Sequence, residues 1–189
     1  MKHFFRKQIV SLSLSCKGDK VHTASLASDE TIAVIDIDSF RDLSNVVDFF
    51  DQILTHKSLD VVAFDFGFSA FILERFLGLD PHKMKNVLDL KEIWSDYLQT
   101  NNDNSNPTIN SMAKEMLGKK QDFSMLKRAR GNNDNDVIDQ EIVTFSAIGA
   151  AIRLKIFFAI EDAHKELKMK YYDYSKPKGV EKILGIEHV

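Results

Sequence analysis

The sequence predicts an α/β domain built on a mixed sheet, and three features carry that reading. Up to about residue 38, apolar and small polar side chains alternate between tight turns. The pattern then switches to helical spacing, and it is broken twice by short apolar strands. The resulting order, β-β-β-α-β-α-β-α-α-α, is that of a sheet of five strands flanked by helices, opening with an antiparallel meander.

Each element has a local reason. Residues 8–16 (QIVSLSLSC) set Leu12 and Leu14 against Ser11, Ser13 and Ser15, the period of a half-buried strand. The Lys17-Gly18-Asp19 turn leads to a second strand at 21–27, and Ser28-Asp29-Glu30 to a third at 31–37. Leu43, Val46, Val47, Phe50, Ile53 and Leu54 then share one helical face over 44–55, with Ser44 as the expected N-cap. The run LDVVAFDF at 59–66 reads as a strand buried on both faces. A helix over 68–77 stops at Gly78, a glycine suited to a left-handed cap. A short strand at 86–90 precedes a helix at 91–98 holding Trp94, the single tryptophan. After an Asn-rich loop at 100–107 comes a helix over 108–117 ended by Gly118, then an irregular basic stretch. A long helix spans about 137–167, with Ile142, Phe145, Ile148, Ile152, Ile156 and Ile160 among its apolar positions. The expected organisation is one domain over 1–169 and a tail over 170–189 carrying Tyr171, Tyr172 and Tyr174.

Composition narrows the function classes. A hydrophobic share of 44% with 28% charged residues is that of a folded globular chain and excludes wholesale disorder. The net charge of -3 argues against a nucleic-acid binder that works through its whole surface. Cys16 is the one cysteine, which excludes a disulfide framework and a cysteine-based zinc site. No uninterrupted apolar run reaches the roughly 18–20 residues of a membrane span, and the first seven residues lack a signal peptide's apolar stretch. The expectation is an intracellular protein, cytoplasmic or nuclear, with no membrane partner.

Five stretches together resemble a known family: KVHTASLA at 20–27, LDVVAFDFGFSAFILERFL at 59–77, NVLDLKE at 86–92, NSMAKEMLGK at 110–119 and TFSAIGAAI at 144–152. In order and spacing they resemble the RNase D-like (DEDD, Werner-type) 3′–5′ exonuclease domain, over residues from about 8 to 165. The resemblance implies the RNase H-like exonuclease fold. It also implies a site of four carboxylates, in a D-x-E, D, D arrangement, with a tyrosine four residues before the last. Such a set holds two divalent ions against phosphate, because Mg²⁺ takes hard oxygen ligands.

None of the four carboxylates stands in this chain. The D-x-E positions fall on Ser13 and Ser15, the second-motif aspartate on Phe68, the last on Gly149, and the tyrosine on Phe145. Hydroxyls are neutral, and Phe and Gly offer no ligand, so the expectation is a pseudo-exonuclease with no metal and no cofactor. Inactive relatives act as adapters, so the resemblance implies an interaction scaffold in an RNA-processing or small-RNA complex, with a protein partner or a second copy as its ligand. The alternative is a domain that grips single-stranded RNA without cutting. Its best candidates are Lys119, Lys120, Lys127, Arg128 and Arg130, five cations beside Phe123. A residual nuclease would have to use Asp36, Asp38, Asp65 or Asp89, for which strand-end and capping roles are the simpler reading. The six histidines show no ligand spacing, and Ser13 and Ser15 have no paired histidine and acid to make either a nucleophile.

Overall fold

The computed structural model describes residues 8–17, 20–99, 107–118, 140–163 and 171. The alternating start becomes β1 (Gln8–Lys17), which pairs antiparallel with β2 (Lys20–Ala27), and β2 in turn pairs antiparallel with β3 (Ile32–Asp36). On its other side β1 pairs in parallel with β4 (Leu59–Ala63), and β4 with β5 (Val87–Asp89). The sheet order is therefore β3-β2-β1-β4-β5, with β1 at the centre. This is the mixed five-stranded sheet the sequence predicts.

Helices cover both faces. The odd and even positions of β1 separate as the pleat requires: Val10, Leu12, Leu14 and Cys16 join a core with α1 (Ser44–Thr55) and α2 (Phe66–Leu77). On the opposite face, Ile9 of β1, Val62 of β4 and Leu88 of β5 join a second core. There they meet α3 (Leu90–Gln99), α4 (Ile109–Leu117) and α5 (Gln140–Ala163). Within α5, Val143–Ala163 is long and apolar enough by length and composition to cross a membrane. Four of its apolar side chains, Ile152, Ile156, Phe157 and Ile160, are buried in that second core. Arg153 and Lys155 interrupt the run.

The structure corrects several boundaries, each for a reason lying elsewhere in the chain. The fourth strand ends at Ala63 rather than 66, and α2 starts at Phe66 rather than 68. Asp65 takes a left-handed conformation (φ 54°) there. The Asp89 carboxylate accepts from Asp65 N at 3.0 Å, Phe66 N at 2.7 Å and Lys91 N at 2.9 Å. One carboxylate thus caps α2 and also ties down the first turn of α3, satisfying orphan donors at both helix starts. Burial pushes the Asp89 carboxyl above its ordinary value, against the lowering effect of those three N–H groups. At α1 the cap comes from Asp42, which accepts from Ser44 N and Ser44 Oγ, both at 2.9 Å, so Ser44 is the capped residue rather than the cap. Gly78 ends α2 in the expected left-handed conformation (φ 68°) and donates to Glu74 O.

Candidate functional site

The serines of β1 face α5. Register places Ser13 opposite Ser25 and Ser15 opposite Thr23, so the four side chains share one face of the sheet. Ser11, on the same face, donates to Ala150 O at 2.6 Å, and Thr23 Oγ1 lies 3.2 Å from Ser146 Oγ. Helix and sheet therefore meet along a seam of small polar residues. Immediately after Ser15 the register with β2 shifts in a bulge, which ends the regular part of the seam.

Gly149 lies in this seam. A Cβ built on it would stand 3.4 Å from Ser13 Oγ and 3.1 Å from Arg153 Nη1. Two of the positions named by sequence, Ser13 and Gly149, are thus brought together across 136 residues of chain, and Arg153 joins them from one turn further along α5. Phe145, one turn earlier and half-buried, stands on the same helical stripe. Phe68 goes elsewhere: it packs half-buried against the core on the other face of the sheet. Lys119, Lys120, Lys127, Arg128 and Arg130 lie outside the described residues.

The aspartates take structural roles. Asp89 is the shared cap, and Asp65 accepts from Lys91 Nζ at 3.1 Å. Asp36 receives Ser39 N at 3.3 Å on its carboxylate and Ser39 Oγ at 2.8 Å on its carbonyl, and Asp38 pairs with His22. Asp36 shares the sheet face of Thr23 and Ser15 but stands on β3, two strands or roughly 10 Å from β1. Among the described residues, no group of three or more His, Cys, Asp or Glu side chains is placed to hold a metal ion.

Comparison with solved structures identifies the architecture. The exonuclease domain of Nibbler from Aedes aegypti superposes with a TM-score of 0.68 at 15% identity, covering 87% of this chain and 83% of that one. The catalytic core of RRP6 from Trypanosoma brucei gives 0.66 at 10% identity, covering 85% of this chain and 42% of that one. Mg²⁺-bound NrnC from Brucella melitensis gives 0.61 at 15% identity, covering 87% and 78%. The chain has the RNase H-like exonuclease fold. No family model and no curated sequence matches it.

The exonuclease fold implies a divalent metal, and the residues at the seam do not fit one. Ser13 and Ser15 are neutral hydroxyls, Gly149 has no side chain, and the group filling the space beside Gly149 is the Arg153 guanidinium, itself a cation. Mg²⁺ needs oxygen ligands with negative charge near it, whereas the nearest charge here is positive. Sequence reasoning missed Arg153. Its available signal was the spacing of four residues from Gly149, which on a helix stacks the two positions.

Proposed function

We propose that this chain is an exonuclease-fold domain that works by binding rather than turnover, as a protein-interaction scaffold or adapter in an RNA-processing or small-RNA complex. The observation that carries the reading is the juxtaposition of Ser13 and Gly149, where a Cβ built on the glycine would stand 3.4 Å from Ser13 Oγ and 3.1 Å from Arg153 Nη1. The two elements that would present the first and last carboxylates are aligned, yet they present a hydroxyl, a bare backbone and a cation. Without clustered negative charge there is nothing to concentrate two divalent ions against their hydration. Ile148, exposed on α5 beside Gly149, supplies an apolar contact next to the altered site.

A second reading, a domain that holds RNA without cutting it, draws support from the same guanidinium, since a fixed cation suits phosphate. The test is calorimetric titration with Mg²⁺ and Mn²⁺ alongside incubation with 3′-labelled single-stranded RNA. The expected result is no saturable metal heat and no shortening of the strand. Metal-dependent trimming that survives further purification and responds to substitution of this chain's own aspartates would overturn the proposal. A gel shift on the same RNA then separates scaffold from RNA holder.

A further inference from the structure

The two edges of the sheet, β3 and β5, are unlike. β5 is closed in, since Val87, Leu88 and Asp89 are all buried. β3 is open: Ile32 and Ala33 are exposed and Val34, Ile35 and Asp36 half-buried, although all but the last are apolar. Among the described residues, no strand lies beyond it. Ladder parity fixes which of its backbone groups point outward. Ile37 N donates to His22 O and Ser28 N to Thr31 O, so the hydrogen-bonded pairs between them are Ala24–Ile35 and Leu26–Ala33. The N–H and C=O groups of Ile32, Val34 and Asp36 therefore face away from β2. Only the Asp36 carbonyl is engaged there, accepting from Ser39 Oγ at 2.8 Å with one lone pair left. The strand has no lysine, no proline and no bulge in its register with β2, and its one charge stands at its last position. An apolar edge without those protections is a template for another strand.

We propose that β3 is a docking edge for a second copy of this chain, the two β3 strands pairing antiparallel about a two-fold axis at Val34. The proposal rests on the scaffold reading above and names the partner of that scaffold. Self-complementarity selects this occupant. With Val34 opposite Val34 of the second copy, outward-facing residues meet outward-facing residues along the whole strand, as the ladder demands. Ala33 then stands opposite Ile35 and Ile32 opposite Asp36 of the second copy, so the centre is apolar and no like charges oppose within the strands. The two Asp36 residues lie at opposite ends of the pair, roughly 13 Å apart, beyond a Debye length of about 8 Å. Glu30 and Asp38 would meet only past the strand ends, and Asp38 already pairs with His22. An axis at Ala33 would instead set Glu30 against Asp36, acid against acid at a strand end. An axis at Ile35 would carry Ile32 and Ala33 past the end of the partner strand. The Val34 axis joins the two sheets into one continuous sheet through an isologous contact. Strands this short bury little surface, which sets the affinity in the micromolar range.

The test is sedimentation velocity of the full chain from about 5 to 500 µM, a range that spans weak dimers. The parent is expected to pass from monomer toward dimer across it. Val34→Pro deletes an outward N–H that β2 does not use, which an edge strand tolerates, and should weaken the dimer about tenfold or more. Val34→Lys sets two ammonium groups against each other at the axis and should do the same. Ile32→Lys is the decisive variant, because in this register it faces Asp36 of the second copy. It should keep or tighten the dimer, with the gain lost in high salt. Circular dichroism melts confirm that each variant folds, and if one Val34 variant unfolds the other carries the test. A parent that stays monomeric at the top of the range would overturn the proposal. So would a dimer unchanged by both Val34 variants, or one that Ile32→Lys weakens as much as Val34→Lys does. Protection of the β3 amides by a different protein, with the parent monomeric, would assign the edge to that protein and overturn the second copy as occupant. RNA trimming in Mg²⁺ would overturn the non-catalytic reading and leave the dimer standing, whereas a monomer that trims nothing would overturn the dimer alone.

Discussion

Gly149→Ala isolates the physical content of the seam, because it adds one methyl group and changes no charge. Glycine inside a helix costs about 1 kcal/mol relative to alanine, chiefly through backbone entropy. Replacing it recovers that amount if the new Cβ finds room. Its two nearest neighbours are Arg153 Nη1 at 3.1 Å and Ser13 Oγ at 3.4 Å. The second is an ordinary van der Waals contact. The first is tight, and the guanidinium must give by a few tenths of an ångström. Nη1 is the far end of a flexible side chain, so this adjustment costs a few tenths of a kcal/mol, of the order of a modest rotamer distortion. The balance favours the variant by roughly 0.5–1 kcal/mol, or about 2 °C in Tm for a chain of this size. Urea denaturation and thermal unfolding followed by circular dichroism measure it directly. A loss of about 1 kcal/mol or more would refute the reasoning, because it would mean that Arg153 is clamped and that helix and sheet close on Gly149 without slack.

Two further outcomes follow from groups that hold the fold. Asn86 Nδ2 serves three carbonyls, Ile53 O at 2.8 Å, His56 O at 3.2 Å and Leu59 O at 2.8 Å, joining the end of α1 to the start of β4. Asn86→Ala leaves these without their donor and should cost about 2–3 kcal/mol, read as a lower urea midpoint at unchanged slope. For Asp89, burial raises the folded carboxyl above its unfolded value, so its contribution is fully present below the unfolded value of about 3.9 and is lost as pH rises through the folded one. The stability of the parent relative to Asp89→Asn should therefore fall from about pH 3.5 toward neutrality. A difference that grows with pH would show that the three N–H bonds outweigh desolvation.

The sheet was legible because its pattern is local. Ser11, Ser13 and Ser15 alternate with Leu12 and Leu14, and that period separates the two faces of β1, which the structure shows covered by α5 on one side and by α1 and α2 on the other. The start of α2 was not legible, since its cap is Asp89, more than twenty residues away and on another strand. No window around Asp65 contains that information. Ser44 misled for a smaller reason: a serine suits an N-cap, but Asp42 offers a charged acceptor two residues earlier and takes both of its donors. At the site, nothing in composition or periodicity joins Ser13 to Gly149; only the family resemblance pairs them, and the structure sets them side by side. Arg153 escaped because the family pattern directs attention to position 149 itself, while the space beside that glycine is filled by the residue one helical turn later.

The residues of the seam fit one another across the two layers. On the helix side the contacting residues are Ser146, Gly149 and Ala150, all small, and on the sheet side they are Ser11, Ser13 and Thr23. Small residues on both surfaces let the Ser11 hydroxyl reach a helix carbonyl at 2.6 Å. Partly buried carboxylates without their metal would repel one another and carry a desolvation cost of several kcal/mol per charge. Serine and glycine carry no such cost. A seam of this composition offers a divalent ion no charged ligand, and that is the physical basis of the non-catalytic role proposed for it.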